Sequence, residues 1–227
     1  MSTNYFILTR NTESNQILVL NNAHTHILPQ VNLDYYTKNG LFEQSLIDWS
    51  AQFCQSDKVF LDIGAHSGTY TISLAKYCKT VHSFEPQRMT YYSLCGSVAL
   101  SNAENVFCHN FGLGEETQTG QQTLNIVSDD GGGSTIQPIT NIKKTELITV
   151  KTLDSMNLQN IGFIKMDVEG NELNVLKGAF NTLKQSNYPK ILFESNTYNS
   201  ELFGFLTDLG YSMINITGYP NMYLATQ

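Results

Sequence analysis

In the stretch FIKMDVEGNEL, Asp167 and Glu169 stand where an apolar run gives way to a helix-period segment. The next apolar run, ILFES, ends in Glu194, 27 residues after Asp167. Carboxylates gathered at one sheet edge can do two kinds of work. One of them can take the proton of a hydroxyl nucleophile as general base. Alternatively, Asp167 and Glu194, with Asn196 beside them, can hold a divalent cation such as Mg or Mn through oxygen ligands. The sequence leaves both open. Lys165, inside the same apolar run, is costly to bury without a partner, so it reads as a structural ion pair with Asp167 or as a further catalytic group. Strand alternation sets Lys165, Asp167 and Glu169 on one face if the strand runs that far.

A second constellation lies upstream. In VFLDIGAHSGTYT a buried run enters Gly64, crosses Ala65, His66 and Ser67, and opens a helix after Gly68 and Thr69. Glycine permits backbone conformations closed to other residues and a close ligand approach, and a helix start offers free N–H groups. This is a nucleotide-type loop. Asp62, two positions before the first glycine, suits the ammonium of a methionine moiety and would repel a pyrophosphate. His66 stands where a dinucleotide site uses its second glycine. Together they favour S-adenosylmethionine, with S-adenosylhomocysteine as product, over NAD. Glu85 ends the following strand, 23 residues after Asp62, where an acid accepts both ribose hydroxyls. Asn110, Phe111 and Gly112, at the end of the third strand, are expected beside the adenine, Asn110 to bond the ring and Phe111 to pack on it. His66 is expected to shape the loop rather than move a proton, and His109 to be a core residue.

Elements of a definite kind must position these groups. From Asp57 onward short β-branched runs alternate with helix-period segments, the signature of βαβ units around a mostly parallel sheet. Strands are expected over 57–64, 80–85 and 105–111, and helices over 68–78 and 87–102. Regular alternation returns with the strand IGFIKM, one helix NELNVLKGAFNTLKQ, the strand PKILFES and a helix from about Asn199 to Leu209. GYSMINITGYPNMYLA reads as a closing antiparallel hairpin that turns over Gly218 to Asn221. Residues of about 112–155 break the rhythm: QTLNIV and ELITVKTL read as strands, with the aperiodic DDGGGSTIQP between them. This is an insertion or lid, with Ser134 and Thr135 able to touch acceptor or cofactor. Ahead of residue 41 lies an N-terminal extension with two short strands, YFILT and QILVLN, and a helix FEQSLIDWSAQFC follows. The expected architecture is therefore α/β and Rossmann-like, one domain over 41–227 with helices on both faces.

Composition narrows the partners. The 227 residues carry a net charge of -7, a field that repels a phosphate backbone, so nucleic acid is not expected. No run approaches the length of a membrane span and the opening residues lack a signal-peptide pattern, so a soluble, cytoplasmic protein is expected. Cys54, Cys78, Cys95 and Cys108 form no CxxC pair and read as reduced core residues.

With those residues in hand, the chain resembles the FkbM family of methyltransferases, through LDIGAHSGTYT, FEP at 84–86 and IKMDVEGNELNVLKGA, over roughly residues 40–200. The last run is the specific part, since the glycine loop is common to class I methyltransferases. The resemblance implies a seven-stranded class I fold, S-adenosylmethionine as donor, and O-methylation of a sugar or natural-product hydroxyl. It implies glycosyltransferase modules as neighbours, and hence a glycan acceptor with a deoxysugar such as rhamnose. Glu43 resembles a family glutamate that approaches the methionine end. His66 resembles a variant of the class I glycine found in this family. The alternatives are an N-methyltransferase or a non-catalytic S-adenosylmethionine-binding module.

Overall fold

A computed structural model describes residues 5–10, 16–21 and 24–227, with side chains from 16 onward. The chain opens with β1 (Tyr5–Arg10), β2 (Gln16–Asn21) and β3 (His24–Pro29), then α1 (Leu33–Asn39) and α2 (Gln44–Ser50). The central units follow: β4 (Val59–Ile63), α3 (Thr69–Ala75), β5 (Thr80–Phe84), α4 (Arg88–Leu100) and β6 (Val106–His109). Next come β7 (Gly112–Leu113), β8 (Gly120–Ile126) and β9 (Lys144–Lys151). The chain closes with β10 (Ile161–Met166), α5 (Glu172–Lys177), α6 (Phe180–Gln185), β11 (Lys190–Glu194), α7 (Ser200–Asp208), β12 (Ser212–Ile216) and β13 (Tyr219–Thr226).

The main sheet has seven strands in the order β12-β13-β11-β10-β4-β5-β6. From β11 to β6 all neighbours are parallel, and β13 runs antiparallel to both β11 and β12. This is the expected Rossmann-like class I architecture with its terminal hairpin. The central strands are apolar on both sides because both faces are covered. Leu61, Ile63, Ile164, Met166, Ile191 and Phe193 pack with α5 to α7 on one face. Phe60, Phe163 and Leu192 meet Leu46, Ile47, Tyr70 and Leu74 on the other, the Phe60 and Phe163 rings stacking at 5.3 Å.

Four local expectations change. The strand expected over 105–111 stops at His109, and Gly112–Leu113 leave the main sheet to pair with β9. The single helix expected over 171–185 is two, α5 and α6, because Gly178 lies against the Gly114 backbone: a Cβ there would sit 2.0 Å from the Gly114 carbonyl oxygen. The helix read over 42–54 is shorter, since Glu43 takes a left-handed conformation and α2 starts only after it. His109 is half-buried rather than core, its Nε2 3.0 Å from Nδ1 of His82.

The N-terminal strands YFILT and QILVLN fall on β1 and β2, and the sequence reading missed the third member of their sheet, HTHILP. An edge strand needs partners for its free backbone groups. For β3 they come from α4, whose Ser101 and Ser97 hydroxyls accept from Thr25 N and Ile27 N at 3.0 and 2.9 Å. His26, on the same strand, is 0 % exposed and neither ring nitrogen has a partner.

That buried imidazole makes stability depend on pH. Burial, with His24 adding to it, lowers the His26 pKa from 6.5 to about 3. The unfolded chain therefore binds one more proton than the folded chain between those values. This contribution to stability is complete above about pH 6.5 and is lost as pH falls toward about 3, at about 1.4 kcal/mol per pH unit. Denaturant unfolding at several pH values is expected to show His26→Leu losing that increment of slope; an unchanged slope would contradict the assignment.

Candidate active site

Sheet register brings the charged groups together. Lys165 of β10 is the Cα partner of Asp62 on β4. Its ammonium lies 3.2 Å from Asp167 Oδ2 and 5.1 Å from the Tyr70 ring centroid, with a side chain only 6% exposed. Burial pulls the Lys165 pKa down, but Asp167, Asp62 and Glu43 outweigh it and hold the ammonium above its usual range. Lys165 is thus held as a buried cation paired with Asp167.

The glycine loop is shaped by the strand ends beside it. Gly64 has φ +77, and a Cβ there would fall 1.8 Å from the Asp167 carbonyl oxygen, so side-chain absence is what lets the ends of β4 and β10 meet. Asp167 N donates to Ile63 O at 2.9 Å, while Gly64 N and Ala65 N both donate to Phe84 O at 3.0 Å. Gly68, at φ +87, starts α3 with Leu94 packed against it. His66 also takes a positive φ, and its Nε2 lies 2.7 Å from Asp130 O and its Nδ1 2.7 Å from Ser67 Oγ. Burial lowers its pKa. It joins the loop to the 127–143 segment.

A cavity of about 360 Å³ crosses the carboxyl ends of β10, β4 and β5. Glu43, Gly64, Ala65, His66, Ser67 and Thr69 line it, as do Glu85, Gly112, Lys165, Asp167 and Glu169. Glu85 is 7% exposed and accepts from His66 N at 2.9 Å and Gln87 N at 2.8 Å, one bond on each oxygen. Burial raises its pKa to about 7. Beside Gly112 the wall is apolar, formed by Leu113, Leu124, Ile148 and Val150.

Of the cofactor residues named from the sequence, Gly68, Asn110, Phe111 and Asp62 do not line this cavity. Asn110 is exposed and spends its amide on the carbonyls of Glu85 and Pro86, at 3.0 and 3.1 Å. Phe111 stacks toward Phe84 and His109 and carries the Lys151 ammonium 4.4 Å from its centroid, so the aliphatic wall replaces it beside Gly112. Asp62 is 1% exposed; its Oδ2 accepts from Thr71 N and Thr71 Oγ1 at 2.9 and 2.6 Å, holding the start of α3, and its Oδ1 has no partner.

The acidic cluster forms as Asp167, Glu169 and Glu194, whose ligand oxygens lie within 4.8 Å of one another. Asn196 stays outside it: its amide donates to Glu194 Oε2 at 3.1 Å and its carbonyl oxygen accepts from Asn221 at 2.9 Å. Burial, then the charges of Asp167 and Glu169, push the Glu194 pKa up to about 8. Glu169 is raised as well, by burial and by Asp167.

Several contributors were invisible to spacing. The Tyr70 hydroxyl donates to Glu43 Oε2 at 2.8 Å, a contact across 27 residues. Leu28, Asn32, Tyr36 and Phe42 of the N-terminal segment complete the cavity wall, with Phe42 stacked on Tyr35 at 4.0 Å. The DDGGGSTI segment lies over the cavity: Gly133 N donates to Glu169 Oε1 at 3.1 Å, Thr135 Oγ1 to Glu169 O at 2.8 Å and Ser134 Oγ to Gln87 Oε1 at 3.0 Å. The two glycines with positive φ there, Gly131 and Gly133, allow the tight path.

The chain is similar to known proteins in sequence and in fold. "Methyltransferase 1" of Beauveria bassiana (strain ARSEF 2860) is 27% identical over 147 residues, 54% of this chain, and the match spans 58% of that protein. The crystal structure of Methyltransferase FkbM from Methylobacillus flagellatus KT superposes with a TM-score of 0.55 at 21% identity, covering 76% of this chain and 44% of that one. SMU.1697c, a methyltransferase of Streptococcus mutans solved in complex with SAH, superposes at 0.50 with 11% identity, over 80% of this chain and 94% of that one. The model of the methyltransferase FkbM domain matches residues 62–213, which carry the glycine loop, Glu85 and the acidic cluster, and the chain belongs to that family.

Proposed function

We propose that this chain is an S-adenosylmethionine-dependent O-methyltransferase whose acceptor is a sugar hydroxyl. The observation that carries the reading is the acidic cluster at the rim of the cavity, with Glu194 poised near neutrality beside an ion-paired Asp167.

The residues fit the cofactor. Asp167, in the cavity wall, has a buried Oδ1 without a partner, and an ammonium is what would satisfy it. Glu43, braced by Tyr70, adds negative charge at the same end. Glu85 keeps a free lone pair on each oxygen for a pair of hydroxyls, and the aliphatic wall beside Gly112 suits a flat base. When bound, S-adenosylmethionine supplies an electrophilic methyl group that needs only in-line positioning.

The chain's own task is to make a hydroxyl nucleophilic. Lys165 keeps Asp167 paired, and burial together with the nearby charges of Asp167 and Glu169 raises the Glu194 pKa to that of an effective base near neutral pH. Glu194 takes the hydroxyl proton. Asp167 and Glu169 keep negative charge beside the reacting centre. The 127–143 segment, tied to Glu169 and His66, excludes water as a lid, and closes a site to which residues 1–40 contribute a wall. The likeness of the motifs to domains that stand beside glycosyltransferase modules supports a sugar over other alcohols.

A second reading concerns a cation. The three carboxylates can supply oxygen ligands to Mg or Mn, which would replace the proton on Glu194 and bind the acceptor oxygen. Chelator separates the two.

Mass spectrometry of saccharides, amines and polyketide-like alcohols incubated with the protein and S-adenosylmethionine is expected to show one methyl group added to a sugar oxygen. Activity that survives EDTA assigns the chemistry to Glu194 as base; loss restored by Mg or Mn assigns it to the cation. Transfer to nitrogen alone, or cofactor binding without transfer to any compound, would refute the reading.

The kcat/KM of the wild type is expected to rise with pH through an apparent pKa near 8, since Glu194 is active in its deprotonated form. Glu194→Gln should remove that limb and lower kcat by about 10²–10⁴-fold. A full-rate variant with the same pH profile would exclude Glu194 as base.

For Glu85→Gln, isothermal titration is expected to show at least about a tenfold weaker S-adenosylhomocysteine complex, about 1.4 kcal/mol, because an amide cannot accept on both of its heavy atoms. Unaltered affinity would remove Glu85 from the ribose end.

A further inference from the structure

A second cavity, of about 280 Å³, opens on the far side of the acidic cluster. It shares Gly133, Thr135 and Glu169 with the first, so the two cavities adjoin at these residues. Its remaining wall comes from the ends of β10 and β11 and the start of α7. Glu172, Glu194, Asn196, Thr197 and Asn199 contribute most of the polar surface, and Leu202 and Ile139 the apolar part. Among the described residues no lysine or arginine lines it.

The chemistry of that wall is one-sided. Glu169 Oε1 accepts from Gly133 N, Glu172 Oε1 from Val168 N and Gly170 N at 3.3 and 3.2 Å, and Glu194 Oε2 from the Asn196 amide. Backbone N–H groups thus fix Glu169 and Glu172, and a side-chain amide fixes Glu194, while each keeps further lone pairs. Asn199 Oδ1 is committed to the start of α7, accepting from Glu201 N and Leu202 N. What lacks a counterpart is hydrogen-bond donors, and a ligand has to bring them. A phosphate or carboxylate placed there would meet three acidic side chains and no lysine or arginine.

We infer that this cavity is the acceptor subsite, and that it takes a non-anionic, donor-rich ring, a neutral sugar or amino sugar, while rejecting phosphorylated and carboxylated counterparts. The inference rests on the methyl-transfer reading of the first cavity and adds to it where the acceptor lies and which charge it carries. Ligand sites usually measure about 300–1,000 Å³, so a cavity of this size suits one ring rather than a longer oligosaccharide. The ring then lies against Glu169 and Glu194, where the second cavity adjoins the first.

The test uses the whole chain loaded with S-adenosylhomocysteine and followed by amide NMR. Methyl glycosides of glucose, galactose, mannose and rhamnose, and of glucosamine, are titrated beside glucose 6-phosphate and methyl glucuronide. At least one neutral or amino glycoside is expected to shift the amides of Thr135, Ile139, Glu169 and residues 195–199. The two anionic sugars are expected to bind at least about tenfold more weakly. Thr197 does not line the first cavity, so Thr197→Arg should leave S-adenosylhomocysteine affinity unchanged while narrowing the discrimination against the phosphate. Equal binding of the anionic sugars, shifts confined to another surface, or no shifts with any glycoside would overturn the inference. Shifts at these residues in a protein that transfers no methyl group would refute the reaction and leave the subsite standing. Transfer to an anionic acceptor would do the reverse.

Discussion

A lysine buried among carboxylates holds the middle of this molecule together. The Lys165 ammonium cannot be solvated where it lies, and an unpaired charge at such a site would cost several kcal/mol. Asp167 on its own strand, Asp62 on the neighbouring strand and Glu43 ahead of α2 surround it, with the Tyr70 ring on a further side. Each of these groups belongs to a different element, so the ion cluster fixes β10, β4, α2 and α3 relative to one another. It also explains why Asp167 stands ready as an anion at the edge of the cavity.

The positions of the other site groups follow from that arrangement. With Gly64 against the Asp167 carbonyl, the loop from β4 must turn toward β5, and its amides reach Phe84 O and the Glu85 carboxylate. One buried acid therefore organises the loop and faces the cavity at the same time. On the other side of β10, Glu194 arrives at the end of β11 partly buried and close to Asp167 and Glu169, and burial first, then those charges, raise its pKa. The negative charge of the site is thus graded, from a carboxylate locked by lysine to one that exchanges its proton near neutral pH.

Much of this was legible in residue order. The alternation of apolar runs and helix-period segments has one low-energy solution, a parallel sheet covered on both faces, and sharp motifs mark where its strands end. Strand ends are where the glycine loop, Glu85, Asp167 and Glu194 lie, so their shared edge could be read directly. The misreadings cluster where backbone partners decide. Phe111 looked like the continuation of a strand, but β6 ends at His109 and the next residues pair with β9. One helix became two because Gly178 meets the backbone of Gly114, a contact between segments 64 residues apart.

By itself, then, the sequence determined the fold class, the edge of the sheet that carries the chemistry and the acidic character of that edge, because these follow from local periodicity and from residue type. Only the tertiary structure decided which acids meet. It brought the oxygens of Asp167, Glu169 and Glu194 within 4.8 Å of one another, gave Asp62 to the start of α3, and brought Glu43 to Tyr70. It also laid the glycine-rich segment and the N-terminal residues over the cavity. Those outcomes depend on distances between residues remote in sequence, and on competition among neighbouring donors for the same oxygen atoms, neither of which a linear pattern encodes.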